Sequence, residues 1–523
     1  MIIHWIAAPI LVPLAAAVAM LIAGDRRLGL QRALGVGSCV ILLVVAADLL
    51  VRGASGIVLP YFAGDWPAPF GIVLVLDRLA AFMVALTALV ALPALVAAIG
   101  GRDPVDARGR HFHPLFQFQL MGLNGAFLTG DLFNLFVFFE VLLIASYCLL
   151  AHGHGAARLR AAVHFVLINL VASGLFLIAV ALLYGVTGTL NMADLVGRVG
   201  ALPPADAPLA RAAALLLLVV FAVKAAAFPL YLWLPGAYAA ATAPAAALFA
   251  IMTKVGLYAI VRVHGTIFGP GAGDAALVAG PWLAAAALLT ALLGVIGALG
   301  AQSLARMTAY LTIASVGTAL IAVSLFAPAA TAAALYYAAH STLVIAAMFL
   351  IVAEVGARRG ETADRLVPCD AVARPLALGI ALVIAAASIV GMPPFSGFVG
   401  KLAILAATAG VPATPVLWTV VLGTGFLAML GLVRAGTVVF WNPTGPARTA
   451  EVGGGRFALA PPLALLGASV ALAVFAAPVQ RYAEAASRQI GDTRAYAVRV
   501  LGDAPQDAVR RFPEASGGKG TGR

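Results

Sequence analysis

Three of the four lysines in the sequence lie inside long apolar stretches. Lys224 and Lys254 interrupt the run between Val219 and Val263, and Lys401 stands in a later apolar run. An ammonium near the centre of a membrane helix costs about 2.5–3.5 kcal/mol on insertion scales, so a lysine there is a functional candidate by default. Arginine keeps its charge, whereas a buried lysine can release its proton. The pattern therefore favours proton transfer, although each lysine could instead pair with a carboxylate that locks two helices together.

Glu140 and His340 are the other ionisable candidates within apolar segments. Glu140 stands alone among Phe, Val, Leu and Ile, so it must be protonated, hydrated or paired with a cation. Lys224 is the cation that the chain offers, and a coupled pair would let the charge on one group set the protonation of the other. His340 could shuttle protons, because imidazole titrates near neutrality. Each could instead have a structural role, Glu140 as a fixed carboxylate and His340 as a hydrogen-bonded core residue.

Two of the lysines are accompanied by residues that break helices. Proline removes a backbone donor and clashes with the preceding turn, and a broken helix is tolerated at membrane depth only where it lines protein or a wet cavity. The sequence therefore predicts a hydrated, charged path beside both breaks. The predicted breaks are at Pro229 and Pro235, after Lys224, and at Gly391, Pro393 and Pro394, before Lys401.

The composition requires a membrane protein, because 63% hydrophobic and only 10% charged residues cannot form the surface of a soluble domain. We expect an all-α integral membrane fold, since a span needs about 20 apolar residues. Residues 1–478 would form one polytopic domain, and the basic tail, 479–523, an interfacial helix or a disordered segment. We count about fourteen spans, centred near residues 13, 40, 85, 120, 142, 173, 218, 252, 287, 315, 342, 390, 425 and 467.

The two proline-containing breaks lie in the seventh and twelfth predicted spans, five spans apart. This arrangement is typical of internal repeats in transporters. The repeats would cover residues 112–264 and 276–440. Because each contains an odd number of helices, the second repeat is predicted to be inverted relative to the first.

The net charge of +11 reflects membrane topology rather than nucleic-acid binding, because the arginines are spread over short loops between the membrane spans. By the positive-inside rule, the arginine-rich loops are cytoplasmic and the N-terminus is outside. The basic tail after Arg481 conflicts with an external C-terminus, so either the tail is exported despite its charge or the span count is wrong by one. The arginines of the rich set are Arg26, Arg27, Arg32, Arg102, Arg108, Arg110, Arg158, Arg160, Arg306, Arg358, Arg359, Arg365, Arg374, Arg434 and Arg448.

No pattern in the sequence indicates a metal or a cofactor. The three cysteines are scattered without metal or redox spacing. His111 and His113 form a lone His-x-His pair that lacks a third ligand nearby. We therefore expect neither a metal centre nor a bound cofactor.

Five motifs resemble the antiporter-like subunits shared by respiratory complex I and the Mrp-type multisubunit cation/proton antiporters, most closely the D subunit of the latter, also called Mnh or Pha. They cover about spans three to thirteen. The resemblance implies fourteen helices, inverted five-helix repeats and broken helices seven and twelve. The motifs read GAFLTGDLFNLFVFFEVLLIASY, GVTGTLNMADL, VKAAAFPLYLWLPGAY, TKVGLYAIVR and GMPPFSGFVGK.

The resemblance also implies roles for the five ionisable candidates. Glu140 would be the carboxylate of the fifth helix and Lys224 its partner in the seventh. Lys254 would be the central relay of the eighth helix, His340 the relay of the eleventh, and Lys401 the terminal lysine.

The sequence departs from the family pattern in three places. Tyr238 stands where complex I relatives usually have histidine, and the segment from Gln302 to Arg306 lacks the usual acidic residue. Ile345 occupies a position where many relatives carry lysine or another polar group. The last departure bears on whether the relay between His340 and Lys401 is continuous.

The expected function is that of a non-catalytic, proton-translocating subunit of a multisubunit Na⁺/H⁺ or K⁺/H⁺ antiporter in the bacterial cell membrane. Its partners would be the other subunits, the lipid bilayer, protons and the cation. Protons would move by a charge wave, in which each protonation change alters the next group. Two alternatives are the proton-pumping subunit of a complex I-like or hydrogenase redox complex, and an assembly scaffold whose charges only hold helices together.

Overall fold

The computed structural model describes residues 2–66, 71–100, 104–153, 155–373, 375–445 and 458–502. Arg102, Arg374 and Arg448 of the arginine-rich set lie outside these ranges, as does the tail after residue 502. The described chain is mostly α-helical, because long apolar segments in a membrane must satisfy every backbone N–H and C=O internally.

The helices of the first half end with the first broken segment. They are α1 (Ala8–Ala23), α2 (Leu28–Ala54), α3 (Arg78–Ile99), α4 (Phe112–Leu128), α5 (Leu132–Ala151), α6 (Ala156–Thr187), α7 (Met192–Gly200), α8 (Ala207–Ala225) and α9 (Trp233–Ala240). The strands β1 (Leu59–Phe62) and β2 (Val73–Leu76) form an antiparallel hairpin between α2 and α3.

The second half contains the second broken segment and the C-terminal helices. They are α10 (Ala243–Ala259), α11 (Gly280–Leu299), α12 (Leu304–Val323), α13 (Pro328–Arg358), α14 (Pro375–Val390), α15 (Ser396–Ala407), α16 (Thr414–Gly436), α17 (Ala460–Val474), α18 (Ala476–Gly491) and α19 (Thr493–Leu501). A π-helical segment, Ile260–Ile267, continues α10, and another, Thr437–Trp441, continues α16.

Ten helices in the described ranges are long and apolar enough to cross a membrane, or eleven if α17 and α18, which meet at 81°, form one bent span. The predicted count of fourteen is not confirmed. The remaining predicted spans correspond to helices that are individually short: α1 has 16 residues, α4 has 17, and the broken segment divides into α14 with 16 and α15 with 12. At 1.5 Å per residue, each is shorter than a hydrocarbon core of about 30 Å.

The arginine-rich loops meet on one side of the helical domain, which we call the arginine-rich face. Arg32 pairs with Asp106 of the loop before α4. Arg158 Nε donates to Ala240 O, 2.9 Å away, at the end of α9. Arg434 donates to Leu299 O at the end of α11. The last two contacts place an arginine at the negative C-terminal end of a helix.

The opposite side, the hairpin face, carries β1, β2, α7, α18 and α19. Gly130 N donates to Val73 O across 2.8 Å, which ties α5 to the hairpin. Tyr482 of α18 donates to Arg78 O, and Gln489 donates to Gly56 O. The described part of the basic tail therefore lies on the side with few arginines. The boundary predicted at residue 478 falls inside α18, so this helix continues from the membrane domain into the tail.

Two helix pairs approach each other through glycines in the same pattern. A Cβ on Gly122 of α4 would lie 2.6 Å from Leu142 N of α5, and one on Gly125 would overlap the Phe138 ring. In the second half, a Cβ on Gly294 of α11 would lie 2.4 Å from Ala314 N of α12, and one on Gly297 would overlap the Tyr310 ring. Small residues let helix backbones approach closely, and both pairs use this device with identical spacing.

Replacing Gly294 by alanine should destabilise the α11–α12 pair by about 1–3 kcal/mol, because the new methyl group would collide with backbone atoms that cannot move aside. Gly174→Ala is the matched control, since no atom lies within 4 Å of a Cβ built there. Thermal unfolding in detergent measures both variants. Equal melting temperatures for the two would contradict the close approach.

A buried ionic cluster joins α2, the loop before α4 and α4 itself. Arg32 holds Asp106 through two bonds, Nε to Oδ2 at 2.7 Å and Nη2 to Oδ1 at 2.9 Å. His113 Nε2 lies 2.9 Å from Asp106 Oδ2. Burial alone would raise the pKa of the Asp106 carboxyl, but the bonds from His113 and Arg32 outweigh it and hold this pKa at about 2. His111, in contrast, contacts Asp25 at the protein edge.

The low pKa of Asp106 predicts a contribution to stability that is present at neutral pH and is lost in acid. The ordinary value is 3.8, so the contribution should disappear as the pH falls from about 4 through about 2. Asp106→Asn should cost about 2 kcal/mol at pH 7, and the difference from the wild type should shrink below pH 4. Melting temperatures of both proteins between pH 3 and pH 7 test this. A difference that does not change with pH would contradict it.

Candidate functional site

Lys224 lies in the last turn of α8, immediately before the first helix break. Ala226 adopts a left-handed conformation, with φ of 56°, and ends the helix. The Lys224 side chain is buried, and its Nζ donates to Asn169 Oδ1 of α6 at 3.1 Å. The Phe139 ring centroid is 5.9 Å from Nζ, within range of a cation–π interaction. The C-terminal end of a helix also favours a cation, so this position stabilises the ammonium without a carboxylate.

Glu140 approaches Lys224 through α6 rather than by direct contact. Ser173 of α6 donates a short hydrogen bond to Glu140 Oε1. Asn169, which holds Lys224, lies one helical turn from Ser173 on the same helix, a rise of about 6 Å. Glu140 and Lys224 are therefore bridged by α6 and form no salt bridge within the described ranges. The negative charge of Glu140 still attracts the Lys224 ammonium electrostatically.

Lys254 is fully enclosed in the middle of α10. Its Nζ lies 3.4 Å from Thr253 Oγ1. Gly256 brings α10 onto α8, because a Cβ there would lie 2.3 Å from Ala225 N, next to Lys224. The two lysines therefore lie on helices that touch at this crossing. A cavity of about 10 Å³, bordered by Lys224, Asn169 and Met252, lies at the same place and is close to the size that one water needs.

His340 is buried in the middle of α13 and contacts the second break. Its Nδ1 is hydrogen-bonded to Ser396 Oγ at 2.8 Å, and Ser396 shares a second bond of 2.8 Å with Ser469 of α17. Ser396 is the first residue of α15, so the break determines where this hydroxyl lies. Gly397 leaves room for the imidazole, since a Cβ there would lie 2.9 Å from Nε2.

Lys401 of α15 reaches back across the second break. Its Nζ donates to Val390 O, the last carbonyl of α14, at 2.7 Å. Two glycines make room for it: a Cβ on Gly391 would lie 2.9 Å from Lys401 Cδ, and one on Gly425 would lie 3.0 Å from Nζ. Gly391 also has a backbone φ angle of 87°, which residues other than glycine rarely adopt.

A cavity of about 20 Å³ joins His340 and Lys401, which is enough for one water. Ile345 and Ser341 of α13 also border it, so the isoleucine narrows this space without separating the two groups. Lys254 and Lys401 both interact electrostatically with His340. The five predicted residues lie on α5, α8, α10, α13 and α15, and α10 packs against both α8 and α13.

The predicted helix-breaking residues do not all lie in breaks. Pro229 lies between α8 and α9, and Gly391, Pro393 and Pro394 lie between α14 and α15. Pro235 is instead in the first turn of α9. A first-turn N–H has no partner within the helix, so proline is tolerated there.

Several residues of the site were not predicted in these roles. Asn169 and Ser173 are polar residues four apart in an apolar helix, a spacing that places them on one face, so this signal was available in the sequence. Ser469 has no such signal. Arg262, in the π-helical segment after α10, forms a bidentate pair with Asp77 at 2.6 and 2.8 Å, and both are buried.

The charge on Arg262 is thus matched by a carboxylate, whereas within the described ranges Lys224, Lys254 and Lys401 form no salt bridge. A buried charge without a counter-ion is expensive. Lysine can avoid this cost by releasing its proton, and arginine cannot. This contrast separates the lysines from a purely structural ion pair.

Residues 129–428, more than half of the chain, match the family described as NADH:quinone oxidoreductase/Mrp antiporter, transmembrane. The chain belongs to this family. All five ionisable residues of the site lie inside the matched range. The chain is a multi-pass membrane protein.

Similar proteins extend over nearly the whole chain. The D subunit of a probable K⁺/H⁺ antiporter from Rhizobium meliloti is 40% identical, covering 95% of this chain and 97% of the relative. The D subunit of a Na⁺/H⁺ antiporter from Alkalihalophilus pseudofirmus is 36% identical, covering 94% and 98%. A chain in the structure of the Mrp complex from Dietzia superposes with a TM-score of 0.83 at 29% identity, covering 95% of this chain and 99% of that chain.

The bond between Asn169 and Lys224 predicts a non-additive mutational effect. Asn169→Leu should destabilise the protein by about 1–3 kcal/mol, because it leaves a buried ammonium without its acceptor. Combining it with Lys224→Met should recover part of this loss, with a coupling of about 0.5–3 kcal/mol. Thermal unfolding of the two single variants and the double variant measures the coupling. Strictly additive changes would indicate that the bond contributes nothing.

Proposed function

We propose that this chain is the proton-translocating subunit of a multisubunit Na⁺/H⁺ or K⁺/H⁺ antiporter, and that it acts as a transporter subunit rather than an enzyme. The functions for which the two antiporter relatives are named support this proposal. Its partners are then the other subunits of the complex, as in the Mrp complex with which the fold superposes. The two relatives differ in the cation that they are named for, so either ion fits.

The observation that carries the proposal is the set of ionisable groups inside the helical membrane domain, of which Lys224, Lys254 and His340 are buried and Glu140 and Lys401 are partly buried. Glu140 and Lys224 are bridged by α6, Lys224 and Lys254 lie on touching helices, and His340 and Lys401 share a cavity. Such groups are costly in a bilayer and are typical of proton relays. In a structural core, these positions would be occupied more stably by apolar residues.

The proposed mechanism is a charge wave along this series. A change in protonation at Glu140 alters how strongly Lys224 holds its proton, because the two charges interact. Lys254 lies at the α8–α10 crossing beside Lys224 and would respond next. His340 senses the charges of Lys254 and Lys401, so it passes the change across the second break. Each step moves one proton to a neighbour or to water in the intervening cavity.

We further propose fourteen spans with inverted repeats at residues 112–264 and 276–440. The identical glycine spacing in α4–α5 and α11–α12 supports the repeats. Their inversion is supported by direction, since α4 begins at the arginine-rich face and α11 begins at the hairpin face. With the arginine-rich face in the cytoplasm, both the N-terminus and the described tail would be outside the cell membrane.

Lys224→Arg tests proton release at the centre of the proposal. It should abolish antiport nearly as completely as Lys224→Ala, because arginine keeps the charge and does not release its proton. Everted vesicles containing the full set of subunits and a pH-sensitive dye report proton movement after sodium or potassium is added. Assembly of each variant is checked by co-purification of the other subunits.

The possible outcomes separate the three functions. Cation-dependent proton movement that both variants lose, despite normal assembly, would establish antiport and name the ion. Full activity in Lys224→Arg would rule out proton transfer at this site. Loss of assembly with unchanged transport per assembled complex would favour a scaffold. No cation response in the assembled wild type would favour the redox-driven pump, which the family description also includes.

A further inference from the structure

A large chamber opens on the arginine-rich face and extends toward Lys254. It has a volume of about 830 Å³ and is bordered by α3, the start of α10, the end of α13 and the start of α17. Tyr238, Ala246 and Phe349 form its inner end. The five ionisable groups described above are not part of its lining. It is therefore a space separate from these five groups, and it opens on one side of the protein.

The inner end of the chamber lies about two helical turns from Lys254. Ala246 and Lys254 are on the same helix, α10, with a rise of about 12 Å between them. Tyr238 donates from its hydroxyl to Phe249 O at 2.7 Å, which places this hydroxyl between the chamber and the lysine. A short file of water molecules would span the remaining distance.

The chamber wall contains a buried hydroxyl group. Thr242, the residue that precedes α10, is 4% exposed, and its hydroxyl has no hydrogen-bond partner among the described residues. Buried polar groups are nearly always hydrogen-bonded to protein or to ordered water. Thr242 borders the chamber, and the surrounding protein encloses its hydroxyl oxygen.

Of the described carboxylates that border the chamber, only one is available to exchange protons. Asp364 Oδ2 accepts from Ala305 N at 2.9 Å, so this carboxylate caps the start of α12. Glu354 of α13 is held by a long contact to Arg358, with Nη2 3.5 Å from Oε2. The charged and titratable groups around Glu354 are Arg358 on its own helix and, across the chamber, Arg108, Arg158, Asp364 and Tyr238.

We propose that Glu354 loads protons from the arginine-rich side and delivers them through the chamber water to Lys254. This proposal rests on the proposed function. The carboxylate takes a proton from bulk water, and the carboxyl then gives that proton to a chamber water. The water passes a proton to the neutral amine of Lys254, which becomes an ammonium. Glu354 returns to a carboxylate, so each cycle moves one proton inward with no other reactant.

Glu354→Gln tests this route by its pH dependence. Without the carboxylate, the hydronium ion of bulk water must supply the relay directly, and its concentration falls tenfold per pH unit. Cation-driven proton movement in vesicles with the full set of subunits should be within about twofold of the wild type at pH 7 and lower by about tenfold or more at pH 9. Glu354→Asp keeps the carboxylate and should retain the wild-type profile.

Two controls separate proton loading from a structural role. Glu361→Gln removes a nearby exposed carboxylate that does not border the chamber. Arg358→Gln removes the ion pair but keeps the Glu354 carboxylate. Both should keep the wild-type pH profile. If Glu354→Gln does not assemble, Glu354→Ala, which also lacks the carboxylate, is measured in its place and should show the same loss at pH 9.

A wild-type pH profile in assembled Glu354→Gln would overturn the proposal and leave antiport itself intact. The same loss at pH 9 in Glu354→Gln and Arg358→Gln would also overturn it, because the ion pair would then explain the effect. If the assembled wild type shows no cation-driven proton movement at any pH, the proposed function fails instead.

Discussion

The rest of the structure depends on the cost of holding an ammonium in a medium of low dielectric constant without a carboxylate. Arg262 and Asp77 show the ordinary solution, a buried bidentate pair. Lys224 and Lys401 are held instead by a neutral amide and a backbone carbonyl. Such partners stabilise an ammonium less than a carboxylate does. This environment favours the proposed role of the two lysines in proton transfer.

The two helix breaks provide polar atoms for these lysines at membrane depth. An intact helix satisfies its own carbonyls, so it has none to offer to a side chain. Lys401 uses Val390 O, which is free because α14 ends there. Lys224 lies on the other side of its break, in the last turn before Ala226, where the carbonyl ends of α8 favour a cation. Ser396 at the second break also orients His340.

The two halves of the chain share the same glycine-mediated helix packing, but their ionisable residues differ. Glu140 lies two residues after Phe138, which packs on Gly125, and Thr312 lies two residues after Tyr310, which packs on Gly297. The second half therefore carries a hydroxyl at the position of the first-half carboxylate. Thr312 donates to Thr308 O of its own helix and has no ionisable role. The close glycine contacts preserve the helix packing in both halves, while the polar residues between them differ.

The amino-acid sequence by itself determined the membrane class, the approximate positions of the helices and the five ionisable residues, because burying a charge is so costly that its presence in an apolar run is informative without coordinates. The breaks at Pro229 and at Gly391 to Pro394 were also evident, since proline and glycine act on the local backbone. Only the tertiary structure decided that Asn169 and Ser173 connect Glu140 to Lys224, that Ser469 extends the contacts of His340, and that Glu354 borders a chamber on the arginine-rich face. These relations join residues far apart in the chain, and they depend on how helices pack, which neither hydrophobic pattern nor local propensity specifies.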